Sequence, residues 1–278
     1  STTVGSAIPQ LWAKRLQIAL RKLLVYGDCC NRKYEGEIKD IGDSVRIQTV
    51  ADVALSAYTR NTDISATTLT TTDLVLTIDQ GRAFNFKWDD VDEAMSRAAY
   101  LLRDEADQFI AALMVAGVST GTPDNQLPAA TSVGTGSGDD DPFAILVNIS
   151  TVLDNANVPD NGRWAVIPPW YAGELLKDPR RSSFGTSENL RSYSDGFMGT
   201  DQVSGLRLYR SNNVPNSTGA YSIVAGYDDA VTFANQVTKF DTREAPSGFY
   251  NYNMGLMVYG GKVVRAYGLA GVVATQAT

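Results

Sequence analysis

Histidine is absent from the 278 residues. That removes Ser-His-Asp and Cys-His catalysis, imidazole metal sites and the commonest general acid or base. Cysteine is nearly absent. Cys29 and Cys30 are the only two, and they are adjacent. Neighbouring cysteines rarely close an unstrained disulfide, so neither a disulfide framework nor a thiolate zinc site is available. The two thiols are expected as small, partly buried side chains. No apolar run approaches the roughly 18 residues of a membrane span, so no membrane partner is expected. The first residues, Ser1-Thr2-Thr3-Val4-Gly5, have neither the basic nor the apolar region of a secretory signal.

Catalytic and nucleotide-binding motifs are missing as well. Gly134-Thr135-Gly136-Ser137-Gly138 is not followed by the Lys-Ser/Thr of a phosphate loop, and it follows a helix rather than a strand. The paired carboxylates Asp89-Asp90 and Asp228-Asp229 are what helix starts and strand turns ordinarily supply. Asp139-Asp140-Asp141 precedes Pro142, which reads as an N-cap with proline in the first helical turn rather than a cation site. The chain is therefore not read as an enzyme, and no catalytic residue, cofactor or metal is expected.

What the chain does have is an uneven charge. Residues 1–33 carry six basic side chains against Asp28, a net +5, while residues 34–278 carry 18 basic against 30 acidic, a net −12. A basic arm on an acidic body suits contact with a neighbouring subunit or weak, nonspecific contact with nucleic acid. It argues against tight general nucleic-acid binding by the body.

Ile8 to Val25 reads as a helix with an apolar stripe through Leu11, Trp12, Leu16, Leu20, Leu23 and Leu24. Gly27-Asp28 ends it. Val45, Ile47 and Thr49 alternate with Arg46 and Gln48, Leu74, Leu76 and Ile78 with Val75 and Thr77, and then Phe84, Phe86 and Trp88 with Asn85 and Lys87. The simplest drawing is a long two-stranded hairpin over 34–88 with a polar tip at 57–72. A hairpin alone is marginal in water, so its faces are expected to rest on something. One amphipathic helix follows from Asp89 to Ala116, with Val91, Met95, Ala98, Leu102, Ala106, Phe109 and Leu113 on its buried face. Arg97, Arg103, Asp104 and Asp107 are expected on the other side. About 28 residues at 1.5 Å each make it roughly 42 Å long.

Residues 117–141 read as a connector without periodicity. A helix is expected over 143–155, and a buried strand over Trp164-Ala165-Val166-Ile167. A short helix should run from Trp170 to Lys177, and strands should form at Leu206–Tyr209 and Tyr221–Ala225. Residues 182–205 read as loop. The stretch from Leu256 to Val273 reads as β-rich.

This order of elements resembles the major capsid protein of tailed bacteriophages with the Hong Kong 97-type fold, an α+β class. The resemblance rests on Leu76-Thr77-Ile78-Asp79-Gln80 and Phe84-Asn85-Phe86-Lys87-Trp88-Asp89-Asp90, where a loop returns into a long helix. It rests also on Ala165-Val166-Ile167-Pro168-Pro169, on Gly205-Leu206-Arg207-Leu208-Tyr209, and on Val258-Tyr259-Gly260-Gly261-Lys262-Val263. It implies an N-terminal arm (1–33), an extended β-hairpin loop (34–88), a peripheral domain with a spine helix (89–135 and 236–278) and an axial domain (136–235). It implies homo-oligomeric hexamers and pentamers that close into an icosahedral shell around double-stranded DNA. Scaffolding, portal and decoration proteins would be further partners. The place would be the virion capsid, assembled in the host cytoplasm.

Intersubunit contact is expected of Trp12, Arg15, Arg21 and Lys22 on the arm, of Arg46, Tyr58, Arg60 and Asp63 on the hairpin, and of Arg180, Arg181 and Arg191 in the basic loop. The alternatives are an encapsulin-type compartment shell with a protein cargo, and a virion decoration or tail structural protein.

Overall fold

A computed structural model describes residues 25–35, 40–50, 57, 60, 71–87, 91–118, 124–177, 197–200, 205–244 and 251–277. Of the helix expected over Ile8–Val25, only Val25 falls within them. It opens α1 (Val25–Asp28), so Gly27-Asp28, expected to end a helix, is itself helical.

The hairpin is present. β1 (Ser44–Val50) pairs antiparallel with β2 (Thr71–Thr77), with Val45 opposite Leu76 and Ile47 opposite Leu74. Alternation in the sequence becomes two faces: Ile47 and Leu76 are buried while Arg46 and Val75 are exposed. Gly42, at a φ of +93°, turns the chain below β1, where its N–H donates to the Ile78 carbonyl at 2.8 Å.

β3 (Gln80–Lys87) does not extend the hairpin as drawn from sequence. It leaves β2 at Ile78-Asp79 and pairs with β11 (Asn251–Val263), which pairs in turn with β10 (Val231–Glu244). The three form a separate antiparallel sheet. Alternation marks a strand but not its partner, which is why the sequence left β3 on the hairpin. β10 itself escaped notice. A bulge between Val237 and Lys239 breaks its period, and Val231–Ala234, Thr232 included, is buried on both faces.

The long helix α2 runs from Val91 to Gly117, about 40 Å. Ala98, Leu102 and Ala106 are buried as expected. A second face is buried too, through Ala99, Ile110 and Met114, because α2 lies against α1 on one side and the three-stranded sheet on another. Asp107 sits on that second face at 1% exposure, contrary to the expectation of a solvated side chain.

The rest of the chain builds a seven-stranded sheet. Its strands are β4 (Ala130–Val133), β5 (Arg163–Ile167), β6 (Phe197–Thr200), β7 (Arg207–Arg210), β8 (Asn216–Ser217), β9 (Ala220–Tyr227) and β12 (Leu269–Gln276). The order is β4-β12-β9-β5-β7-β6, with β8 beside β9. Every residue of β5 is buried, as its continuous apolar run requires of a central strand. β4 and β6 lie in stretches read as connector and loop. Both are only four residues long; β4 takes its partner, β12, from a distant part of the chain, while β6 pairs with the nearby β7. β4 and β12 fall in segments that the sequence boundaries leave on the peripheral side.

Helix α3 (Pro142–Asn155) starts as expected: Pro142 is in the first turn and the Asp141 carboxylate accepts from the Phe143 N–H at 3.0 Å. Asp139, the first of the acidic run, accepts from the Ser132 hydroxyl at 2.6 Å and the Gly136 N–H at 3.1 Å. Arg163, 4% exposed, binds Asp154 at 2.6 Å and the Pro159 carbonyl at 3.0 Å, fastening the end of α3 to the start of β5. Helix α4 (Pro169–Lys177) follows β5 directly.

Candidate assembly surfaces

Three features leave the body with something to offer another chain. The first is the hairpin. Its base rests on a small cluster of its own, made of Ile47, Leu76, Ile78, Ala234 and Val258. Beyond that cluster β2 is exposed along Thr71, Thr72 and Asp73. Docking at the base needs Gly260: a Cβ there would collide with the Thr77 carbonyl and the Ile78 Cα.

The second feature is the outer side of α2. Tyr100 and Leu101 are 50% and 55% exposed. The Arg103 guanidinium lies over the Tyr100 ring at 5.0 Å. Between α2 and β3 an open groove of ≈ 440 Å³ is floored by Ala83, Phe84, Ala98, Leu101 and Leu102. Arg82 and Glu105 pair across one end at 3.3 Å. An apolar floor with a charged rim is the pattern of a protein contact.

The third is the root of the arm. Tyr26, Cys29 and Cys30 are buried, and burial pushes both thiols well above their ordinary range, so they are inert. Asn31 is clamped to β10: its N–H donates to the Val231 carbonyl at 2.9 Å, and its carbonyl accepts from the Phe233 N–H at 3.1 Å. Its side-chain amide donates to Asp229 at 2.8 Å. Asp107 of α2 accepts from the Val25 N–H at 3.2 Å. Burial raises the Asp107 carboxyl to about 6, while backbone amides of α1 and the nearby Arg103 pull the other way.

Among the residues expected at contacts, Arg46 is exposed on the outer face of β1, opposite Val75, and Arg60 is exposed at a turn. Trp12, Arg15, Arg21, Lys22, Tyr58, Asp63, Arg180, Arg181 and Arg191 lie outside the described residues. Sequence reading missed Tyr100, Leu101 and the groove. The signal was there, since two large apolar residues lie off the stripe of a helix whose buried face is already full. Of the paired carboxylates, Asp228 binds Arg207 at 2.7 Å and Asp229 binds Asn31, so both serve structure. Among the described residues no group of three or more acidic or thiol side chains is placed to hold a metal ion, and no helix is long and apolar enough to cross a membrane.

Two sheets, a long helix and a hairpin standing off them form an arrangement with known counterparts. The family described as phage capsid protein matches residues 71–274, well over half of the chain. The chain belongs to that family. Among solved structures, this capsid protein is similar to a chain of Mycobacterium phage Che8, with a TM-score of 0.67 and 28% identity over 90% of each chain. It is similar also to a chain of the cyanophage P-SCSP1u capsid, with a TM-score of 0.66 and 18% identity over 92% of this chain and 89% of the other. A chain of the virus-like particle from Pyrococcus furiosus shares the fold at a TM-score of 0.53 and 12% identity, over 95% and 98%. No protein of curated function matches in sequence. The fold is the α+β Hong Kong 97 type, and the chain is a major capsid protein, a structural protein of a bacteriophage.

Proposed function

We propose that this capsid protein tiles a closed icosahedral phage head as hexamers and pentamers, enclosing double-stranded DNA in the virion after assembly in the host cytoplasm. The observation that carries the reading is the groove and exposed Tyr100-Leu101 pair on α2, beside a hairpin that outruns its own supporting cluster. One chain thus has both a projecting element and an unfilled apolar surface. Self-association between copies satisfies both, and heterologous contacts of this kind close into rings. Many modest contacts per subunit then add up to a stable shell.

The peripheral unit is α2 with the three-stranded sheet, and the axial unit is the seven-stranded sheet with α3 and α4. DNA contact is weak and nonspecific, because the body carries a net −12 and only the arm, residues 1–33, is net positive. Scaffolding, portal and decoration proteins are the remaining partners of such a head.

Electron microscopy of the purified protein is the test. Angular closed shells are expected. A monomer at every concentration and salt overturns the proposal. Native particles filled with protein and free of nucleic acid would assign the shell to a cargo compartment instead.

A further inference from the structure

The arginines of this chain fall into two groups. Arg82, Arg163, Arg207 and Arg243 each bind a carboxylate, at 2.6 to 3.3 Å, and Arg265 donates to the Tyr227 hydroxyl. Arg103 and Arg210 are half-buried, and neither pairs with a carboxylate among the described residues. The Arg103 guanidinium is stacked on the Tyr100 ring at 5.0 Å, which leaves its N–H edge unused, and its Nε is buried without an acceptor. A buried N–H donor left in that state is costly unless something else supplies the acceptor.

The two guanidiniums line one pocket of ≈ 240 Å³, Arg103 from α2 and Arg210 from the end of β7. Asn212 and Asn213, in the turn after β7, line it too, and neither side-chain amide has a hydrogen-bond partner among the described residues. That turn is pinned. The Ser211 N–H donates to the Ile167 carbonyl at 3.1 Å, and the Asn213 N–H donates to the Ser211 hydroxyl at 3.1 Å. Two carboxylates share the wall, Asp104 and Asp107, but both are engaged by other groups. The Gln108 amide donates to Asp104 at 2.9 Å. Asp107 accepts from the Val25 N–H at 3.2 Å and is stabilised further by the Tyr26 and Gly27 amides. The donors left over are two guanidiniums and two side-chain amides, brought together from two elements.

We propose that this pocket binds a phosphate group, held by Arg103 and Arg210, with Asn212 and Asn213 completing the set of donors. A phosphate presents acceptor oxygens on several sides, so donors arriving from α2 and from the β7 turn can each take one. A carboxylate is planar and is filled along one edge by a single guanidinium fork. The pocket lies below the roughly 300 Å³ at which sites for larger organic ligands begin, which suits one small oxyanion. A helix and a pinned turn form its walls, so little freedom is lost on binding. Asp104 and Asp107 oppose the anion, so the site is weak and sensitive to salt. The whole pocket belongs to one chain, so the inference stands or falls independently of shell formation.

The test is an NMR titration of the full, unassembled chain with inorganic phosphate at constant pH and ionic strength, following the arginine Nε–H resonances. Saturable shifts are expected at Arg103 and Arg210 and not at Arg243. Arg103→Gln and Arg210→Gln should each weaken phosphate binding on the order of 10-fold. Arg210→Lys keeps the charge without the fork and should recover part of that loss. Arg243→Gln, at an exposed pair with Asp241, should change nothing. Arg210 has no partner in the fold, so its variants keep the test decisive if Arg103→Gln fails to fold. Binding that is unchanged in Arg210→Gln, or shifts that chloride reproduces at equal ionic strength, overturn the proposal. Acetate as effective as phosphate would assign the pocket to a carboxylate and overturn it as well. A short DNA duplex that displaces phosphate in the wild type, but not in Arg210→Gln, would identify the group as one of the nucleic-acid backbone. A duplex that leaves phosphate bound would identify it as free phosphate, and either result supports the site.

Discussion

Asp107 shows how a single buried charge sets a pH dependence. Its carboxyl is raised from 3.8 to about 6 by burial. The folded chain therefore holds a proton that the unfolded chain releases between pH about 4 and 6. Stability from this group is greatest below that window and falls as pH rises through it, by about 3 kcal/mol if the whole shift is realised. Denaturant unfolding at several pH values should show that Asp107→Asn flattens this decline relative to wild type. Parallel profiles for the two would show that Asp107 titrates alike in both states.

Gly260 is a residue of the opposite kind, needed for what it lacks. Gly260→Val drives a side chain into the backbone at Thr77 and Ile78, and backbone cannot swing aside as a side chain would. A loss of about 2–3 kcal/mol is expected in equilibrium unfolding. Faster hydrogen exchange across β1 and β2 should accompany it. Unchanged stability would mean that the hairpin base shifts freely.

At the scale of elements, the hairpin and the long helix are each only half explained by their own chain. β1 and β2 hold a clean inner face, but their cluster covers only the base. Replacing residues 51–70 by a short turn should leave a cooperatively folding body with a thermal midpoint near wild type, since β1 and β2 stay paired at Val50 and Thr71. Shell yield, counted by electron microscopy, should collapse. Shells of normal number and stability would show that the tip makes no intersubunit contact.

The long helix makes the complementary case. Leu101→Glu changes a residue that is already 55% exposed, so its effect on the unfolding of the chain should stay within about 0.5 kcal/mol. The same change puts a charge on the rim of the apolar groove. Sedimentation should then show subunits or small oligomers where wild type gives shells. Normal shells would mean that this side of α2 faces solvent in the particle.

For the whole molecule, the division of labour lies between two sheets and one helix that touches both. α2 packs on β11 and β3 of the three-stranded sheet and on β9 and β12 of the seven-stranded one. The two units are thus joined through a rigid rod. The charge pattern belongs to this scale too. An acidic body with a basic arm makes assembly contacts through the arm sensitive to ionic strength. Raising salt from about 0.05 to 0.5 M should slow shell formation by the wild-type chain more than by Arg21→Gln/Lys22→Gln, whose arm carries less charge. Equal slowing would place the salt-sensitive contact elsewhere.

Much of this protein was legible before any coordinate. The strand period at Val45–Thr49 and Leu74–Ile78, the long helix, the Asp141-Pro142 start of α3 and the buried strand at Trp164–Ile167 are all local. Side-chain spacing and capping chemistry depend on neighbours in the chain, so the sequence alone determined them. The order of those elements was enough to suggest the capsid family. What the sequence could not hold was partnership. Nothing local says that β3 leaves the hairpin for β11, or that β4 and β12 join a sheet with β9. Nothing local says that Asp107, one polar residue among several on α2, turns inward beneath α1. Those outcomes depend on which distant segments meet, and only the tertiary structure decides that.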